Sequence, residues 1–98
     1  MKYIKVRWVH DLPDEPELLY SEIDHDRNEI RKVEIFKDGT MGYAASGVRH
    51  RSALAECPLP TVEEIGGDPQ FKPESIAEAE FAEVWERAAR LPPGAGDL

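Results

Sequence analysis

Four short stretches of alternating or β-branched residues, each closed by a turn signal, fill the first half of the chain and constrain its fold more than any other feature. In residues 2–10, Ile4, Val6 and Trp8 fall on one side and Lys5 and Arg7 on the other, the period of a half-buried strand. Asp11-Leu12-Pro13-Asp14-Glu15-Pro16 breaks that pattern with two prolines and three acids. Residues 17–24 alternate again, with Leu18, Tyr20 and Glu22 on one face and Leu19, Ser21 and Ile23 on the other. His25-Asp26-Arg27-Asn28 is a tight connection to a third strand, residues 29–36, rich in β-branched side chains. Lys37-Asp38-Gly39 reads as a hairpin loop before a fourth strand over 40–45. Connections this short join antiparallel neighbours, so the four strands form a meander.

The hairpin around Gly39 has two possible registers. A two-residue Asp-Gly turn pairs Phe36 with Met41; a three-residue loop with Gly39 left-handed pairs Ile35 with Met41 and Val33 with Tyr43. The second gathers more apolar residues on one face and is preferred. A four-residue connection at 25–28 then sets Glu22 opposite Arg31, Tyr20 opposite Val33 and Leu18 opposite Ile35. The expected core face is Leu18, Tyr20, Val33, Ile35, Met41 and Tyr43, joined by Ile4, Val6 and Trp8.

Residues 46–60 read as a long irregular loop. Thr61-Val62-Glu63-Glu64 has the spacing of a capping box, and Gly66-Gly67 ends the short helix that it opens. Ser75 and Glu78 suggest a second cap and a helix from about 76 to 90. Ala77, Phe81, Val84, Trp85 and Ala88 share one stripe of that helix, which should pack on the core face. The expected fold class is therefore α+β: a four-stranded antiparallel meander with a short helix and a C-terminal amphipathic helix packed on one face. Residues 1–90 form the single domain and 91–98 a flexible tail. One helix cannot cover both faces of a sheet. The second face carries Leu19, Ile23, Ile30 and Phe36, so either residues 46–74 wrap over them or they form a partner surface.

The chain has 98 residues and a net charge of −8, which disfavours direct binding to nucleic acid and favours a basic partner. The charge is blocked: +3 over residues 1–10, −7 over 11–30, +3 over 31–55 and −7 over 56–98. A single cysteine, Cys57, suits a reducing compartment, and the first residues lack an apolar run of signal-peptide length. The expectation is a cytoplasmic protein that does not span a membrane, with no cofactor; oligomeric state stays open.

The candidate chemistry is sparse. His10 with Asp11, Asp14 and Glu15 has the donor types of a divalent-metal site, yet a solvated acidic loop explains the same residues. Asp24, His25 and Asp26 sit at the sheet end toward which His50 and Cys57 lead, although the spacing matches no zinc site. Cys57 follows Glu56, which opposes thiolate formation. Lys5, Arg7 and Lys32 with Tyr3 and Phe36 suggest a basic, aromatic sheet face, against which the net charge argues. No catalytic constellation stands out, so an enzyme is the less favoured reading.

Tyr3-Ile4-Lys5-Val6-Arg7-Trp8-Val9-His10, Asp14-Glu15-Pro16, Leu19-Tyr20-Ser21-Glu22, Arg31-Lys32-Val33-Glu34-Ile35-Phe36 and Asp38-Gly39 together resemble a family of small single-domain bacterial proteins of unknown function. Glu63-Glu64-Ile65 and Phe81 with Trp85 fit the same pattern, which leads one to expect a Ser or Thr cap where this chain has Ala77. The resemblance spans most of residues 1–90 and implies no activity. The functional expectation is a non-enzymatic, acidic protein-binding module, in one form an immunity-type protein that neutralises a bacterial toxin. Asp11, Asp14, Glu15, Asp24 and Asp26 are its candidate polar contacts, and Leu19, Ile23, Ile30 and Phe36 its apolar ones. The alternatives are a phage-type inhibitor or nucleic-acid mimic, and a small metal- or ligand-binding domain.

Overall fold

A computed structural model describes residues 1–90, with only the backbone of Arg90; the expected tail, 91–98, lies outside the described residues. Six strands form one antiparallel sheet: β1 (Lys2–Trp8), β2 (Pro16–Ile23), β3 (Glu29–Phe36), β4 (Met41–Ala45), β5 (Val48–His50) and β6 (Phe71–Ser75). Two helices, α1 (Val62–Ile65) and α2 (Glu78–Arg90), complete an α+β domain. Their spatial order is β5-β4-β3-β2-β1-β6, so the meander has one strand more than expected and a sixth returns beside β1.

The central register is the expected one. Leu18 pairs with Ile35, Tyr20 with Val33 and Glu22 with Arg31, while Ile35 pairs with Met41 and Val33 with Tyr43. Gly39 takes φ 86°, the left-handed conformation that the three-residue loop requires. Its N–H donates to the Phe36 carbonyl at 2.9 Å.

The first strand faces the other way from the sequence expectation. β1 sets Tyr3 opposite Glu22 and Lys5 opposite Tyr20, so Tyr3 joins the helix-covered face and Ile4, Val6 and Trp8 turn to the second face. The reason is position: β1 lies inside the sheet, with β2 on one side and β6 on the other. Both its faces are covered, and Tyr3, Ile4 and Val6 are all buried. The basic aromatic face suggested by Lys5, Arg7 and Lys32 does not form, because Lys32 pairs with Ser21 on the second face while Lys5 pairs with Tyr20 on the first. Lys5 instead lies 5.7 Å over the Tyr20 ring and 3.8 Å from Glu74.

α2 lays Phe81, Val84 and Ala88 on Tyr3, Tyr20, Val33 and Tyr43, with Trp85 at the margin. It begins later than expected. Ser75 ends β6, and the Ile76 N–H donates to the Tyr3 carbonyl at 2.9 Å, so pairing with β1 claims the residues read as a cap. The first helical bonds run from Glu80 and Phe81 to the Ala77 carbonyl. No helix among the described residues is long and apolar enough to cross a membrane.

The stretch read as a loop, 46–60, contains β5, and its continuation through α1 crosses the sheet. From the β5 edge to β6 the chain passes five strand gaps, roughly 24 Å. It makes that crossing over the second face. Leu59, Val62, Ile65 and Phe71 pack on Ile4, Val6 and Ile23. Arg27, with φ 67°, pins the crossing: its Nε donates to the Leu59 carbonyl at 2.7 Å and its terminal nitrogen to the Pro60 carbonyl at 2.6 Å. The Leu59 N–H returns a bond to the Arg27 carbonyl at 2.8 Å. The capping box of α1 is present, with the Glu64 N–H on Thr61 Oγ1 at 3.1 Å and the Thr61 N–H on Glu64 Oε1 at 2.9 Å.

Gly42 marks where β4 meets the end of β5, its neighbour in the sheet. A Cβ there would lie 3.0 Å from the carbonyl oxygens of both His50 and Arg51, which are backbone atoms and cannot swing aside. Gly42→Ala is therefore expected to cost about 1–3 kcal/mol, read by urea denaturation. Wild-type stability in this variant would mean that β5 is not seated against β4.

Candidate binding groove

The crossing segment does not seal the second face. Beside α1 it leaves a groove of about 350 Å³ against β1 and β2. Ile4, Val6 and Leu19 form its floor, and Leu59, Ile65 and Phe71 its apolar walls. The floor follows from alternation, since Ile4 and Val6 face the same way as Ser21 and Leu19, their cross-strand partners. The size is at the lower end of the range for small-ligand sites, and an apolar lining with few polar groups is their usual composition.

Its polar groups lie in two places. Deep on one side, the Glu29 carboxylate, only 1% exposed, accepts the Ser21 hydroxyl at 2.6 Å and the Ala55 N–H at 2.8 Å. Lys32 Nζ stands 3.4 Å from the same carboxylate and donates to the Ala53 carbonyl at 3.0 Å. A carboxylate so buried must be met by donors, and here three elements supply them. On the opposite rim stand Glu64 and Asp68, each giving one carboxylate oxygen to a backbone N–H, of Thr61 and Gln70 respectively. The Thr61 amide holds the Glu64 carboxyl below the usual carboxylate range, with the Thr61 hydroxyl bond adding to it. Three carboxylates against one ammonium leave the lining with a net charge of −2.

The residues singled out from sequence fall largely elsewhere. Asp11, Asp14 and Glu15 are exposed in the loop before β2, and Asp24 and Asp26 lie in the turn after it. The two acidic groups are thus separated by the eight residues of β2, roughly 26 Å. Asp24 is committed to its own turn: its Oδ1 accepts the N–H groups of Asp26 and Asn28, both at 2.9 Å, and the Asn28 bond leads in holding its pKa down. His10 is a brace for its loop. The Leu12 N–H donates to Nδ1 at 2.9 Å, which leaves Nε2–H to donate to the Pro16 carbonyl at 2.7 Å. With both nitrogens engaged, and the ring packed 4.3 Å from that of Trp8, His10 has no lone pair for a metal.

His50 packs on Tyr43, well along the sheet from Asp24, and Cys57 is exposed. No three His, Cys, Asp or Glu residues gather as metal ligands among the described residues. Of the apolar candidates, Ile23 is fully buried and Phe36 lies under the Arg51 guanidinium, 4.0 Å from its ring. Ile30 is half-buried on β3, and Leu19, half-buried, is the one that reaches the groove. The groove residues missed from sequence are Ser21, Glu29, Lys32, Glu64 and Asp68. One signal pointed there: Ser21 and Lys32 are polar positions, opposite each other, on the face that also carries Leu19, Ile23 and Phe36.

A family model for a domain of unknown function, DUF6881, matches residues 2–90, and the chain belongs to that family. The resemblance to a single-domain family without an assigned activity is thereby met. None of the curated proteins and none of the solved structures matches this chain.

Proposed function

We propose that this protein is a non-enzymatic binding module that meets a basic protein partner through the groove on its second sheet face. The observation carrying this reading is the groove itself, an apolar floor bordered by an excess of carboxylates. The acidic loops at the two ends of β2 extend it. An interface of ordinary size covers about 800 Å² on each partner, a patch roughly 30 Å across. That is broad enough to span the 26 Å or so from the 11–15 loop to the 24–26 turn. Exposed acids of this kind steer a basic partner and set its salt dependence more than they add affinity, while the groove supplies the apolar anchor. An immunity-type protein that covers the basic cleft of a toxin is one form of such a module.

The test is capture from a host lysate with tagged wild type, with Leu19→Trp, which fills the groove from its floor, and with Ile65→Lys, which places a cation in its wall. Circular dichroism checks that each variant is folded. The expected result is one stoichiometric protein, weakened by salt, that both folded variants lose. A partner retained by the filled groove would remove the groove as the docking surface. A partner that stays bound at high salt with Asp11, Asp14, Glu15, Asp24 and Asp26 all neutralised would remove the role of the acidic loops.

A further inference from the structure

The donor and acceptor pattern of the groove narrows what enters it. Ser21 gives its only hydroxyl proton to the Glu29 carboxylate at 2.6 Å, so it offers an occupant acceptor lone pairs alone. Lys32 is the one cation in the lining, and Glu29 at 3.4 Å offsets its charge. The rim carboxylates of Glu64 and Asp68 each accept a backbone N–H and keep acceptor capacity beyond it, since a carboxylate has about four lone-pair sites; Arg27, outside the lining, also attracts Glu64. Charge and lone pairs thus point the same way, toward an occupant that is positive at the rim and apolar at the floor.

Resting on the reading of the groove as a protein-docking site, we infer that its occupant is a partner segment with a large apolar side chain beside a lysine or arginine. The apolar side chain lies on the floor next to Leu19, and the cation meets Glu64 and Asp68. An acidic segment is repelled by the same rim. A fully apolar ligand leaves the rim carboxylates unmatched, so neither suits the groove as well.

Three twelve-residue peptides on a glycine-serine background test this: Phe between two lysines, Phe between two glutamates, and Ser between two lysines. Each is titrated into the full-length protein, following the methyl resonances of Leu19 and Ile65. The lysine-flanked Phe peptide is expected to shift both methyls and to bind more tightly than the other two. Glu64→Gln with Asp68→Asn should weaken it about three- to tenfold, the range of two exposed ion pairs. Glutamine keeps the capping box and asparagine keeps the turn acceptor, so the fold is retained. Equal binding of the glutamate-flanked peptide, unchanged affinity in the double variant, or no methyl shift with any peptide would overturn the inference. So would a neutral small molecule found stoichiometrically by native mass spectrometry. A captured partner lost by Leu19→Trp but indifferent to the rim variant overturns this inference and leaves the docking reading standing; one indifferent to both removes the two together.

Discussion

Phe81→Ala is expected to lower the stability of the fold by about 3–5 kcal/mol, the cost of removing a fully buried aromatic ring. Phe81 is completely enclosed and forms the hub of the helix-covered face. Its ring stands 5.5 Å from Tyr3 and stacks 6.5 Å from Trp85, and the Arg31 guanidinium lies 5.0 Å above it. Alanine leaves a cavity between helix and sheet that β-strand backbone cannot close, and it strips one face from a partly buried cation. A domain of this size has about 5–15 kcal/mol in total, so the variant would keep only a small margin. Thermal melting by circular dichroism should fall by roughly 15–30 °C. Phe81→Leu, which refills most of the volume, should recover over half of the loss. A melting temperature within a few degrees of wild type in Phe81→Ala would mean that α2 is not packed on the sheet.

Arg31→Ala should cost about 3 kcal/mol at neutral pH, because it leaves a buried carboxylate behind. Arg31 binds Glu22 with two nitrogens, Nε to Oε1 at 2.7 Å and the terminal nitrogen to Oε2 at 3.0 Å, and Tyr3 donates its hydroxyl to Oε2 at 3.0 Å. The guanidinium is held between Glu22 and the rings of Phe81 and Trp85, 5.0 Å from each. The Glu22 side chain is 9% exposed. Hydrogen bonding to Arg31 is the leading cause that holds the Glu22 pKa below the usual carboxylate value. A lowered folded pKa adds stability that is complete above the unfolded-state value, near 4.5, and is lost as the pH falls through the folded one. Without Arg31 the leading cause of that lowering is gone, and burial, which raises the pKa, is opposed chiefly by the Tyr3 hydroxyl bond, so the stabilisation gained on ionising Glu22 shrinks. The difference between wild type and variant should thus be largest near pH 7 and shrink as the pH falls through 4, in urea titrations at the two pH values. A deficit that stays constant across that range would show that Arg31 acts through packing alone. Because Arg31 and Phe81 are in contact, the double variant should lose less than the two single losses combined.

How much of this was legible in the sequence depended on how local the deciding physics was. The β2–β3–β4 register follows from alternation, from the left-handed requirement at Gly39 and from the Glu22–Arg31 pair, all within a stretch that closes on itself through short turns. The capping box at Thr61 and the apolar stripe of α2 are likewise written in neighbouring residues. β5 and β6 were not legible. β5 has three residues, and β6 carries Pro73 at its centre, a residue that belongs on an edge strand and reads locally as a break. The face of β1 was misread for a related reason: Tyr3 and Ile4 are both buried, and alternation orders a strand only when one of its faces is wet.

The groove lies at the far end of that scale. Its floor comes from β1 and β2, its buried carboxylate from β3 and its rim from α1 and the residues after it. These segments meet only because the chain, leaving β5 at one edge, crosses the whole second face to form β6 at the other, beside β1. Sequence alone therefore determined the strand pairing, the helix stripe and the acidic excess, each set by residues a few positions apart. Tertiary structure alone decided which side of β1 faces α2, and it assembled Ser21, Glu29, Lys32, Glu64 and Asp68 around one groove, since a crossing is a property of strand order and not of any local pattern.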